Sequence, residues 1–202
     1  MYEVAIIGAG PTGASAATFT ARAGLSTLLL DSDQGVTRRA WIPNHLGFVQ
    51  GIAGPDLVER GKDQAIQGGA ALIPAKVKDV TRKGEGFVLV TDDDRTFEAK
   101  QVILAVGFNM EVAHHAGLSV VPGTEPHVKE IVKVDPAGRS DVKGIWAAGT
   151  CAGTSVHTIV TAGDGARVAV NLVSDVKGER YTDHELMPVE PAGPAATGSC
   201  VR

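Results

Sequence analysis

The chain has 202 residues, 44% of them apolar and 21% charged, with a formal net charge of −4. That is enough for one globular domain with a sizeable core, and it excludes a disordered chain. No Lys/Arg cluster suggests a nucleic-acid footprint, and no apolar run approaches the roughly 20 residues that cross a bilayer.

Residues 2–7, with the unbroken run Val4-Ala5-Ile6-Ile7, predict a buried strand. Residues 8–13 read as a turn, residues 14–23 as a helix stopped by Gly24, and residues 27–30 as a second apolar strand ending at Asp31. Together they make a βαβ unit of about 30 residues, the length of a parallel crossover. Residues 33–54 carry scattered Gly, Pro and Asn and read as loop. Residues 55–67 predict a helix with Pro55 near its first turn, and residues 71–73 a strand returning to the sheet. Residues 76–81, 87–91 and 96–99 predict three strands joined by Lys83-Gly84-Glu85-Gly86 and Asp92-Asp93-Asp94, an antiparallel meander. A separate apolar strand is expected over 102–106, irregular chain over 108–126, and strands over 129–134 and 144–148. The last helix is expected over 158–173. The proline-bearing stretch from 187 reads as a disordered tail, leaving residues 1–186 as one domain.

The fingerprint Gly8-Ala9-Gly10-Pro11-Thr12-Gly13 has a strand before it, a helix after it and Asp31 about 20 residues further on. Gly8 allows the tight turn, Gly10 lets backbone approach a pyrophosphate, and Gly13 lets the helix pack on the sheet. Free N–H groups at the helix start, with the helix dipole, favour phosphate. Asp31 can accept from ribose hydroxyls and repels a 2′-phosphate. A second crevice is expected where Ala147, Ala148 and Gly149 expose backbone ahead of the helix at Thr158.

With these segments in view, the chain resembles the FAD-binding half of the thioredoxin-reductase-like pyridine nucleotide-disulfide oxidoreductases, over most of residues 2–175. Ile42-Pro43-Asn44-His45-Leu46-Gly47-Phe48 is similar to the family's V-E-N-(aromatic)-P-G-F segment, whose Asn approaches the flavin. Ile103-Leu104-Ala105-Val106-Gly107 is similar to its A-T-G turn, with Val106 in place of Thr. Gly144-Ile145-Trp146-Ala147-Ala148-Gly149-Thr150-Cys151 is similar to its G-(I/V)-(F/Y)-A-A-G-D-(C/V) motif, and residues 157–165 to the opening of its last helix. The resemblance implies an α/β, Rossmann-like fold: a central parallel sheet with helices and an antiparallel three-stranded meander. It implies FAD as cofactor, held at one end by Gly8, Gly10, Pro11, Thr12, Gly13 and Asp31. Val77, Ala105 and Gly107 are further cofactor-binding positions, and Asn44, His45, Gly149, Thr150, His157 and Thr158 would lie toward the ring and ribityl chain. His157 reads either as a neighbour of the flavin O2 or as a capping residue.

Three departures bound the function. Thr150 stands where the family has a ribityl-binding Asp. No Cys-x-x-Cys pair exists, so the family's disulfide exchange lacks its resolving thiol. Only a short stretch follows Gly107 where the family inserts its pyridine-nucleotide domain. The uncovered ring predicts a homodimer. Cys151 reads as an activated thiol near a helix start or, the favoured reading, as a small buried side chain. Cys200 falls in the expected tail, and His114-His115 reads as solvated loop rather than a metal site. The expected function is a FAD-dependent oxidoreductase fed by an external donor, either free NAD(P)H or a redox protein. A non-catalytic FAD- or nucleotide-binding module and an NAD-binding Rossmann domain are the alternatives. No residue is assigned as catalytic acid, base or nucleophile. With no signal peptide, membrane span or nucleic-acid footprint, the cytoplasm is the default compartment.

Overall fold

Apolar side chains on both faces of a strand require cover on both faces, and the core follows from that. A computed structural model describes residues 1–185. In chain order its elements are β1 (Tyr2–Ile7), α1 (Pro11–Arg22), β2 (Thr27–Asp31), a 3-10 turn (Val36–Arg39), β3 (Trp41–Ile42), β4 (Ile52–Ala53), α2 (Gly54–Gln67) and β5 (Ala71–Pro74). Then come β6 (Val77–Lys83), β7 (Gly86–Thr91), β8 (Thr96–Leu104), α3 (Glu111–His115), β9 (Val120–Pro122), β10 (Glu130–Val132), β11 (Ile145–Ala147), a second 3-10 turn (Gly149–Ala152) and α4 (Thr158–Lys177).

β5, β2, β1, β8 and β11 run parallel, with β1 paired to both β2 and β8. Alternation divides their side chains between two layers. Val4, Ile6, Leu29, Ile103 and Trp146 face Ala16 and Ala17 of α1, Ala65 of α2 and Val168, Ala169 and Leu172 of α4. Ala5, Ile7, Leu28, Leu30, Val102, Leu104 and Ile145 face the other way, onto Val80, Phe87 and Leu89 of the meander and Val112 and Ala113 of α3. Leu28, Leu29 and Leu30 are all fully buried, each stabilising the fold by about 2 kcal/mol. α1 is rich in alanine, so its neighbours approach closely. A Cβ on Gly61 of α2 would meet the Ala14 Cβ at 3.0 Å, and one on Gly165 of α4 would collide with the Thr12 carbonyl oxygen.

The strands expected over 96–99 and 102–106 are one nine-residue strand, β8. Its first part pairs antiparallel with β7 through Phe87↔Ala99, and its last part pairs parallel with β11 through Val102↔Ile145. One edge of β8 therefore serves the meander and then the parallel sheet. Residues 108–126 are not irregular throughout. They carry α3 and β9, and β9 pairs antiparallel with β10 through Ile131↔Val121. The loop over 33–54 likewise contains a two-residue hairpin, β3 with β4. Among the described residues, no helix is long and apolar enough to cross a membrane. The tail expected from 187 lies outside the described residues.

Candidate functional site

Ligands of open parallel sheets collect at the carboxyl ends of the strands. A groove of about 430 Å³ lies there, lined by residues that directly follow each parallel strand. Gly8, Gly10, Pro11 and Thr12 follow β1, Asp31 ends β2, Ala75 to Val77 follow β5, Ala105 to Asn109 follow β8, and Thr150 follows β11.

The first turn forms as its glycines require. Gly8 sits at φ +99°, where a Cβ would lie 2.5 Å from the Ala105 carbonyl oxygen. A Cβ on Gly13 would collide with the Gly8 carbonyl oxygen, so Gly13 is there for packing. Gly10 is the residue before the helix, in ordinary extended geometry, and a Cβ there meets nothing within 4 Å. Its open side is the groove. Pro11 opens α1 without an N–H to satisfy. Among the described residues, no backbone acceptor takes the N–H of Thr12 or Gly13. Free donors at a helix start, beside backbone that nothing screens, fit the phosphates of a dinucleotide.

The second turn meets the first. Gly149, at φ +74°, lies so close to Thr12 that a Cβ would collide with the Thr12 hydroxyl. Segments some 140 residues apart in the chain thus form adjoining walls of one groove. The turn is held from behind by Asp164, 9% exposed, on the first turns of α4. Its Oδ2 accepts from the Gly149 N–H at 2.7 Å and the Thr154 hydroxyl at 2.9 Å, and its Oδ1 accepts from Arg167 at 2.9 Å. Thr150, next to this turn, offers the groove a hydroxyl, while the carboxylate of Asp164 is already engaged.

Of the candidate residues, Gly8, Gly10, Pro11, Thr12, Asp31, Val77, Ala105, Gly107 and Thr150 line the groove, while Gly13 and Gly149 build its walls from beneath. Asn44, His45, His157 and Thr158 do not line it, although His45 and Thr158 meet each other. His45 Nδ1 lies 2.9 Å from the Thr158 hydroxyl, across 113 residues of sequence. Burial pushes the His45 imidazole below its ordinary range. His157 occupies the cap position of α4 through its backbone. Its side chain makes no cap bond and instead pairs with the Ser155 hydroxyl at 2.8 Å.

Asp31 is held on both oxygens. Ala9 N–H donates to Oδ1 at 3.1 Å, and the Lys62 ammonium forms an ion pair with Oδ2 at 2.8 Å. Lys62 belongs to α2 and was not evident as a site residue in the sequence. Its neighbours Glu59 and Asp63 give that helix turn the look of a solvated face. The loop residues Ser32 and Gln34 to Thr37, which line the groove on the same side, also carried no pattern.

Cys151 is fully buried, its thiol 3.2 Å from the Ala148 carbonyl oxygen and 3.3 Å from that of Leu104. Burial pushes its pKa up to about 11. That is the inert reading, not the activated one. A Cys200→Ser protein is expected to show no reaction with a soluble disulfide reagent at pH 8 when folded, and one thiol after denaturation. Rapid reaction of the folded protein would contradict this burial. Among the described residues, no group of His, Cys, Asp and Glu could hold a metal ion. A larger concavity, about 860 Å³, lies at the start of β11 and the end of α4. It holds the Arg139–Asp175 ion pair at 2.7 Å and lies away from the carboxyl ends of the parallel strands.

Residues 62–166 match the family described as pyridine nucleotide-disulphide oxidoreductase, and residues 1–43 match a FAD binding domain. The chain is 36% identical over 110 residues to a bifunctional thioredoxin reductase/thioredoxin of Mycobacterium leprae, covering 53% of this chain and 24% of that protein. It is 36% identical over 128 residues to a thioredoxin reductase of Mycolicibacterium smegmatis, covering 62% of this chain and 39% of that protein. The chain thus spans well under half of these curated relatives. Among solved structures, the atypical thioredoxin reductase of Desulfovibrio vulgaris superposes with a TM-score of 0.72 at 20% identity, covering 89% of this chain and 99% of that one. An oxidoreductase of Agrobacterium tumefaciens superposes with a TM-score of 0.75 at 17% identity, covering 88% and 99%. At those identities the likeness speaks for the fold.

Proposed function

This chain belongs to the pyridine nucleotide-disulphide oxidoreductase family, and from that premise we propose that it is a FAD-dependent oxidoreductase of the thioredoxin-reductase-like kind, reduced to the flavin-holding part, that takes electrons from an external donor. The observation that carries this reading is the contact between the Gly149 turn and Thr12 of the first turn, which makes one groove of two crevices. FAD, when bound, supplies reversible electron transfer at its ring system.

The chain's own residues bind and orient. The first turn of α1 would hold the pyrophosphate with free N–H groups, and Asp31 would accept from the adenosine ribose. Thr150 would meet the ribityl chain. The start of α4, tied to the Asn44–His45 segment through Thr158, would lie at the ring end, where a helix N-terminus favours negative charge. No side chain is assigned to proton transfer.

Free NAD(P)H or a redox protein is the proposed donor, because the stretch between Gly107 and Gly144 carries only α3 and the β9–β10 hairpin. The absence of a Cys-x-x-Cys pair argues against turnover by dithiol exchange. Residues 1–186 are proposed as a single domain and the cytoplasm as its setting. A homodimer is proposed because Trp41, Leu46 and Val49 are exposed near the ring end, together with Ile159 and Val160 of α4. Light scattering should then give twice the monomer mass, and a monomer at micromolar concentration would overturn that part.

The test of the main reading is the absorbance of purified protein, as isolated or after adding FAD. The expected result is a flavin spectrum that bleaches with dithionite and with NADH, NADPH or a reduced partner. A colourless protein that takes up no FAD would falsify the reading. A stable flavin spectrum reducible by dithionite alone would favour the second reading, a FAD-binding module without turnover, to which Thr150 and the missing thiol pair also point.

A further inference from the structure

We propose that Lys62 is a positioning residue for the adenosine end of the groove, fixing Asp31 so that it reads the ribose 2′-hydroxyl; this rests on the FAD-binding reading above. Lys62 is an unusual residue to bury. Its side chain is 10% exposed and that of Asp31 12%, so each charge depends on the other for compensation. The ammonium hydrogen-bonds Asp33 Oδ1 at 3.0 Å and Glu59 Oε1 at 3.5 Å and forms an ion pair with Asp31 Oδ2 at 2.8 Å. Burial depresses the Lys62 ammonium, but hydrogen bonds to Asp31 and Asp33 outweigh it and hold the group charged.

The consequence lies in the lone pairs that remain. An ionised carboxylate offers about four acceptor sites. On Asp31, Ala9 N–H takes one on Oδ1, and the Lys62 ammonium forms an ion pair with Oδ2 at 2.8 Å. With both oxygens pinned from the protein side, the carboxylate cannot turn, and its remaining sites are left to the groove it lines. Lys62 itself does not line the groove, so it acts through Asp31. The same ammonium also fixes the loop that continues the wall. Asp33 sits at φ +58°, a left-handed geometry rare outside glycine, and its side chain is tied to Lys62 and to Arg38, which also pairs with Glu59. That loop supplies Ser32 and Gln34 to Thr37 to the groove.

The test uses full-length protein stripped of flavin, with folding checked by circular dichroism. Calorimetry measures dissociation constants for FAD, ADP and 2′-deoxy-ADP. The wild type is expected to prefer ADP over 2′-deoxy-ADP by roughly tenfold, the worth of one charge-assisted hydrogen bond. Lys62→Met is expected to remove that preference by weakening ADP and leaving 2′-deoxy-ADP little changed, and Lys62→Arg to restore it. Should Lys62→Met not fold, Lys62→Gln takes its place with the same expected loss. A merely structural lysine would weaken both nucleotides alike, so a preserved ratio in a folded variant overturns the inference. A wild type that binds both nucleotides equally overturns it too, while leaving FAD binding intact. A wild type that binds neither FAD nor ADP overturns the proposed function itself.

Discussion

A Gly10→Val protein is expected to fold nearly as well as the wild type and to carry no flavin. Gly10 has φ −66° and ψ −176°, geometry that valine adopts freely, and a Cβ there meets nothing within 4 Å. The folding cost is that of a poor residue at a helix cap position, about 1 kcal/mol. The empty space, however, is the groove beside the free N–H groups of α1. A valine side chain would occupy the volume a pyrophosphate needs to reach those donors, and FAD affinity should fall by more than about 100-fold, the order of losing several charge-assisted hydrogen bonds. Gly13 gives the contrast within the same motif. Its Cβ would collide with the Gly8 carbonyl oxygen, so Gly13→Val should lose the fold and not merely the ligand. Thermal melts by circular dichroism, read beside the ratio of flavin to protein absorbance, separate the two outcomes. A folded Gly10→Val protein with full flavin content would mean that the pyrophosphate does not lie on this turn.

An Asp164→Ala protein is expected to lose about 3 kcal/mol of stability, the usual cost of leaving buried charge-assisted partners unpaired. For a domain of this size that lowers Tm by on the order of 10 °C. Three partners depend on this carboxylate: the Gly149 N–H at 2.7 Å, the Thr154 hydroxyl at 2.9 Å and Arg167 at 2.9 Å. The Gly149 N–H is the most exacting, since the 3-10 turn that follows offers it no other acceptor. Asp164→Asn should cost less, because an amide oxygen can still accept from Gly149 while the charge facing Arg167 is gone. Flavin retention should fall in the same order, as the second wall of the groove loosens. Differential scanning fluorimetry with and without added FAD makes the comparison. An Asp164→Ala protein with wild-type Tm would mean that another group secures the turn.

The parts of this fold visible in the sequence are those governed by local rules. An apolar run followed by spaced glycines identifies β1, the first turn and α1, because a tight turn and close packing leave few residue choices. Ala105, Gly107 and Thr150 enter only through the resemblance to the family's motifs, and Gly149 through its small neighbours; the structure puts each just past a buried strand. β8 has the sequence pattern of two strands because Lys100 and Gln101 interrupt its apolar run. Ala99 and Val102 stay buried on either side of them, and backbone pairing with β1 runs through the break. α3 has only five residues, too few to carry a periodic signal in the sequence. Lys62 and Asp164 carry no signal in the sequence for a different reason. Each is a charged residue on an amphipathic helix, and only the tertiary partner, Asp31 in one case and the Gly149 N–H in the other, distinguishes it from a solvated side chain.

The measurement that bears most directly on the two-crevice account is a crystal structure of the full chain grown with FAD. The account predicts one continuous ligand, with its pyrophosphate on the Gly10–Thr12 turn, its adenosine ribose at Asp31 and its ring end beside Thr150 and the start of α4. Density for an adenosine diphosphate fragment alone, with nothing along the Gly149 turn, would contradict it, as would a flavin seated anywhere else on the molecule.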